Sequence, residues 1–167
     1  MGDQKWLESW SGRSTDELLA LVGEYRVDSV VLAFDEALQM KEYKQGAMSL
    51  TQEEWVVLAI EALEREVNNG GYGQFFLNSA EYVPVVVDAL ERIGCHETAA
   101  LTQEAIDALG LKNGLTAEAV ERVMREDNLE REGRLEELTN RYFDVAGDLA
   151  EPLLEYVKRN RERIILV

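Results

Sequence analysis

The stretch Thr51–Val67 limits what this chain can fold into more than any other part of it. On a helix drawn through it, Trp55, Leu58, Ala59 and Ala62 fall on one side and Val56, Ile60, Leu63 and Val67 on another, because residues three and four apart share a face. Glu54, Glu61, Arg65 and Asn68 make up a polar stripe. A helix that is apolar around most of its circumference has to lie inside the fold with neighbours on several sides. Thr51 offers an N-cap, and Glu54 answers three residues on, which is the pattern of a capping box. The expected fold is therefore all-α, a compact single-domain bundle of several helices around a buried central one.

The flanking sequence supplies the neighbours. Ser14 and Glu17 form a second capping box ahead of Leu18, Leu19, Leu21 and Val22, and a helix from about Asp28 to Glu42 carries Val27, Val30, Val31, Phe34 and Leu38 on one face. These N-terminal helices, residues 14–42, are expected to pack on a core of about 51–156. The run Val83-Pro84-Val85-Val86-Val87 has strand-forming residues. Helical spacing of Val83, Val86, Val87, Leu90 and Ile93 argues for a helix instead, with Pro84 in its first turn and Gly94 ending it. Further helices are expected at Glu97–Leu109 and, capped by Thr116, through Glu126. A long charged helical region then runs from Glu130 to Arg163, with Leu135, Leu138, Tyr142, Val145, Leu149 and Leu153 on one face and a bend rather than a break at Gly147. The tail Ile164–Val167 is apolar, and either packs on the core or makes a subunit contact.

Charge decides which partners suit such a surface. Asp and Glu number 33 against 17 Lys and Arg, a net charge of -16. That charge repels phosphate backbones and anionic lipids, so neither direct nucleic-acid binding nor a membrane is expected, and a basic protein is the natural partner. The longest apolar runs, near Val83–Val87 and Ile164–Val167, fall far short of the ~20 residues that span a bilayer. Met1–Gly12 has no apolar core of the kind a signal peptide needs. Cys95 stands alone, so no intramolecular disulfide forms, and a buried small hydrophobe is its expected role. Together these point to the cytoplasm.

No catalytic residue, metal or cofactor is expected. His96 is the only histidine, so no pair of imidazoles can hold a metal, and adjacent residues such as Cys95 and His96 point about 100° apart on a helix. Glu61 with Glu64, and Glu151 with Glu155, share helix faces, but no basic or metal-binding neighbours mark them as an acid–base pair. After residue 130, Glu130, Glu137, Asp144, Asp148, Glu151, Glu155 and Glu162 recur at helical spacings. Of these, Asp144, Asp148, Glu151 and Glu155 are the candidate partner-binding set. Arg134, Arg141 and Arg159 follow Glu130, Glu137 and Glu155 by four residues, the spacing of intrahelical ion pairs.

The densest local signal is Asn68-Asn69-Gly70-Gly71-Tyr72-Gly73-Gln74-Phe75-Phe76. The expected backbone path ends the central helix at Val67 or Asn68, puts an Asn or Gly in the left-handed position, and drops Tyr72, Phe75 and Phe76 onto the core as a short aromatic segment. An alternative makes this junction and its aromatics one wall of a small-molecule or peptide pocket. Glycine amides can also form an anion nest, but the Lys and Ser/Thr of a phosphate loop do not follow.

The stretch Glu64–Ser79, followed by a helix ending at Ile93-Gly94, resembles the signature of a bacterial helical family whose characterised founder is a dimeric DNA mimic. Asn68, Asn69, Gly70, Gly71, Gly73, Phe75, Phe76 and Asn78 carry the resemblance. It implies an all-α fold and a homodimer. It also implies surface carboxylates that take the place of DNA phosphates on a transcription factor. The shared motif is the helix junction, so its own role is expected to be structural.

Overall fold

The computed structural model describes residues 2–166. Among these are eight α-helices and no β-strand: α1 (Thr15–Leu19), α2 (Val27–Gln45), α3 (Gln52–Asn78), α4 (Val83–Arg92), α5 (His96–Asp107), α6 (Ala117–Met124), α7 (Leu129–Val145) and α8 (Ala150–Arg159). None of them is long and apolar enough to cross a membrane.

Both capping boxes form. Glu17 N donates to Ser14 Oγ at 3.2 Å and Ser14 N to Glu17 Oε2 at 2.7 Å. At α3, Glu54 N donates to Thr51 Oγ1 at 3.1 Å and Thr51 N to Glu54 Oε2 at 3.0 Å. Thr116 and Asn128 cap α6 and α7 with one hydrogen bond each, accepting from Ala119 N at 3.1 Å and Arg131 N at 3.0 Å. Each such cap satisfies an otherwise orphaned amide, worth about 1 kcal/mol. Pro84 sits in the first turn of α4, where no intrahelical N–H is needed, so the valine run is helical.

Helix α3 is the axis of the fold. Val57, Ile60, Leu63 and Val67 are fully buried, with α2, α4, α6, α7 and α8 packed around them. Burial of each such side chain contributes about 1.5–3 kcal/mol. Covering on all sides also overturns the expected polar stripe. Glu54 and Glu61 lie inside the protein, because α2 and the C-terminal tail close over that side, while Arg65 and Asn68 emerge. Glu54 is answered by Lys41 Nζ at 2.8 and 2.9 Å and by Ile165 N at 2.8 Å.

Two boundaries differ from expectation. Helix α3 does not stop at Asn68–Gly71 but breaks at one residue, Gly71 (φ 81, ψ -176), and resumes through Asn78. The aromatic segment is thus itself helical, because the freed amide of Tyr72 finds Thr139 Oγ1 of α7 at 3.0 Å and the chain need not turn away. At Gly147 the chain breaks where a bend was expected. Its φ of 58 is incompatible with a right-handed helix, and α8 starts afresh with Asp148 Oδ1 accepting from Ala150 N at 2.9 Å.

The tail packs on the core. Ile164 and Leu166 are buried and Ile165 is exposed. Thr51 Oγ1 donates to the Arg163 carbonyl at 2.8 Å, Lys41 Nζ to the Ile165 carbonyl at 2.9 Å, and Thr15 Oγ1 to the Ile164 carbonyl. Val167, part of the same expectation, lies outside the described residues.

Candidate functional site

The glycine-rich junction is built for packing. A Cβ on Gly71 would lie 2.7 Å from Thr139 Oγ1 and 3.0 Å from its Cγ2, besides needing a positive φ. One on Gly70 would lie 2.0 Å from Gln74 Oε1. Tyr72, Phe75 and Phe76 are fully buried. Tyr72 stacks on Phe76 at 6.1 Å, meets Tyr142 edge-on at 5.7 Å and shares a 2.9 Å hydrogen bond with Thr102 Oγ1. These rings belong to the core, while Gly70, Gly71 and Gly73 of the junction line a cavity of about 280 Å³ together with Leu77, Met124, Arg131 and Thr139.

Beyond the break, Gln74 Nε2 and Asn78 Nδ2 donate to Glu66 Oε2 at 2.8 and 3.0 Å, and Arg65 Nε reaches Oε1 at 3.3 Å. Burial works to raise the Glu66 carboxyl, but the donors from Gln74, Asn78 and Arg65 outweigh it and hold the group below the usual range. Asn78 thus acts as a strut across the junction. Glu66, Gln74 and Thr139 are functional parts of the motif that the sequence reading misses. The signal that marks Gln74 and Asn78 is their spacing of four, which points both amides to one face once the segment is read as helix.

On the other side of α3 the same motif opens onto a cleft of about 280 Å³, whose lining includes Trp6, Asp28, Leu32, Glu61, Glu64, Arg65, Asn68 and Asn69. Trp6 is held there because its neighbours are tied to the start of α2: Arg26 N donates to the Lys5 carbonyl at 2.8 Å and Leu7 N to Ser29 Oγ at 3.0 Å. The Arg26 guanidinium lies 5.3 Å from the Trp6 ring centre and pairs with Asp28.

Glu61 is 5% exposed and makes no hydrogen bond or ion pair among the described residues. Burial, reinforced by Asp35 and Glu64 and opposed by Arg65, pushes its carboxyl up to about 8. Burial and Asp148 raise Glu64 to about 7 against the Leu149 amide. Asp35, raised by burial to about 6, is partly relieved by Arg65 at 3.5 Å and by Gln39 at 2.6 Å. Cys95 is half-buried against the core rather than fully enclosed, and burial, then Glu64, pushes its thiol up. His96 is exposed and pairs with Glu91.

The four candidate partner-binding carboxylates, Asp144, Asp148, Glu151 and Glu155, are all exposed, at the corner where α7 gives way to α8. Asp144, Asp148 and Glu151 have no ion-pair partner among the described residues, whereas Glu155 meets Lys158 at 2.7 Å. The expected four-residue pairs do not form. Arg134 turns to Glu104 of α5 at 3.2 Å and to Glu137 at 2.9 Å. Arg141 clasps Glu104 at 2.8 and 3.1 Å, and Arg159 does not pair with Glu155. A carboxylate on the neighbouring helix, held by both prongs of a guanidinium, outcompetes a single-pronged contact along one helix. Glu130 makes no ion pair among the described residues.

Residues 48–160 match the family described as DMP19-like protein, the DNA-mimic family that the junction motif resembles. The match takes in α3 through α8 and covers well over half of the 167 residues. The chain belongs to that family. No curated protein and no solved structure matches it.

Proposed function

We propose that this member of the DMP19-like family is a non-catalytic, acidic interaction protein whose carboxylates occupy the DNA-binding surface of a basic partner. The observation that carries the reading is the α7–α8 corner, where Asp144, Asp148 and Glu151 face solvent and make no ion pair among the described residues inside the family-matched stretch. A duplex presents a charge about every 1.7 Å, while residues four apart on one helix are about 6 Å apart, so a single row is too sparse. The end of α7 and the start of α8 supply charges from two directions. Asp148 is held in place by the amide it caps, which lowers the entropy lost on binding. The net charge of -16 steers a cationic partner toward the chain at long range.

The test is capture of a basic protein from the native host at low salt, followed by competition with duplex DNA. The variant carrying Asp144→Asn, Asp148→Asn, Glu151→Gln and Glu155→Gln keeps the hydrogen bond from Ala150 N, since Asn retains an acceptor. It is expected to bind about tenfold or more weaker with unchanged helicity, and the wild-type complex to weaken as salt rises. Equal binding by the variant, or no competition with DNA, overturns the reading.

A further inference from the structure

The surface reading makes no use of the cleft beside Trp6, and the cleft has features that a solvated acidic patch lacks. Glu61 lines it, is 5% exposed, and points no oxygen at any donor among the described residues. Buried polar groups in native proteins are almost always partnered by protein or water, so a carboxylate with no protein donor, opposed only by the nearby charge of Arg65, is open to a donor that enters through the cleft. The rim repeats the same chemistry: Glu64 and the carboxamides of Asn68 and Asn69 all offer oxygen acceptors. The walls are apolar, with Trp6 44% and Leu32 41% exposed. The Trp6 ring already has one guanidinium, that of Arg26, over it.

We infer that the Glu61–Glu64 cleft is a binding site for one organic cation, an ammonium or guanidinium group carried on an aliphatic stem. A bare divalent metal fits less well, because no three His, Cys, Asp or Glu side chains among the described residues converge as a metal requires. An anion would meet three carboxyl groups, Asp28, Glu61 and Glu64, against the one guanidinium of Arg65. Apolar walls leading to a buried carboxylate suit a stem with a charged end, and a tryptophan face adds cation–π attraction.

Proton linkage gives the site a signature. Glu61 and Glu64 hold their protons up to about 8 and about 7 in the empty protein. The charged groups that set this are Asp28 and Asp35 from α2, Arg65 from α3, and Asp148 from the α7–α8 turn. Tyr142 of α7 and Cys95 of the α4–α5 turn, both raised by burial and by Glu64, face them from the remaining sides. An arriving cation takes the place of a proton, so binding releases protons and tightens as pH rises from 6 to 8.

The cation has two potential sources, a side chain of a protein partner or a free alkyl-guanidine. Calorimetry of the full chain with agmatine and with a short arginine-containing peptide separates them. Agmatine binding alone assigns a free ligand, peptide binding alone assigns a partner's side chain, and both support the site. Affinity is expected to rise about tenfold between pH 6 and 8, with heat that depends on the buffer because protons are released. Glu61→Gln is expected to weaken binding about tenfold or more, and Leu32→Trp, which fills the cleft, to abolish it. Asp144→Asn with Glu151→Gln is expected to change nothing, so this inference and the surface reading fail separately. The inference is overturned if neither probe binds, or if Glu61→Gln and Leu32→Trp both leave affinity unchanged.

Discussion

Glu66 and Glu61 lie on opposite sides of α3, both buried, and carry opposite biases. On the junction side, three donors converge on Glu66 and hold it ionised despite burial. On the cleft side, Glu61 has no donor among the described residues, and burial with Asp35 and Glu64 outweighs Arg65, so it holds a proton to about 8. Glu54, one helical stretch earlier, resolves the same problem with a buried lysine. Burial alone therefore does not decide the state of a carboxylate here; the groups brought against it do. A carboxylate met by donors acts as a strut, and one met by burial and like charges keeps its proton.

Removing the partner of a buried carboxylate should cost stability, and the largest effect is expected at Glu54. Lys41 and Glu54 are 9% and 0% exposed at their side chains, so Lys41→Met leaves a buried charge with only backbone donors. Breaking a buried pair on one side costs about 3–5 kcal/mol, and urea denaturation at pH 7 would measure it. A loss below about 1 kcal/mol would mean that the Thr51 and Ile165 amides suffice by themselves.

The junction side can be broken without touching a charge. Gly71→Ala places a Cβ against Thr139 and imposes a positive φ on an L residue, which together should cost about 2–3 kcal/mol. The same shift should carry Gln74 and Asn78 off Glu66, so a carboxyl NMR titration should find that group moved up toward its ordinary range. Adding Thr139→Ala relieves the clash but deprives Tyr72 N of its acceptor, so recovery should be incomplete. Full recovery would show that the hydrogen bond contributes little.

Much of this architecture was legible in the sequence. Thr51 with Glu54 and Ser14 with Glu17 announce helix starts through chemistry local to four residues, and the apolar girdle of α3 announces its central position. What could not be read depends on contacts between distant segments. The polar stripe became buried because Lys41 and the tail cover Glu54. The arginines of α7 left their own helix because Glu104 of α5 lies within reach. Gly71 interrupts α3 and does not end it, because Thr139, sixty-odd positions on, receives the freed amide. The cleft escaped notice for the same reason, since Trp6, Asp28 and Glu61 meet only in three dimensions.

The smallest effect should come from Glu61 itself, with a sign opposite to the others. Its folded carboxyl titrates near 8 against an ordinary value of 4.5, so between those limits the folded state holds a proton that the unfolded state has released. Stability then falls as pH rises through that window, whereas Glu66, held low by its donors, loses stability only as the solution is made acidic. Glu61→Gln keeps the shape of the protonated group and removes the titration. At pH 4, below the ordinary value, the variant should come close to the wild type, and by pH 8.5 it should be the more stable by about 2 kcal/mol, the shift being worth about 1.4 kcal/mol per unit before relaxation of the cleft reduces it. The remaining slope, from Glu64 and Asp35, should persist in the variant. Thermal melts at the two pH values would measure both quantities. A variant that tracks the wild type throughout would mean that Glu61 is already ionised and answered in solution, which would close the gap between the two sides of α3.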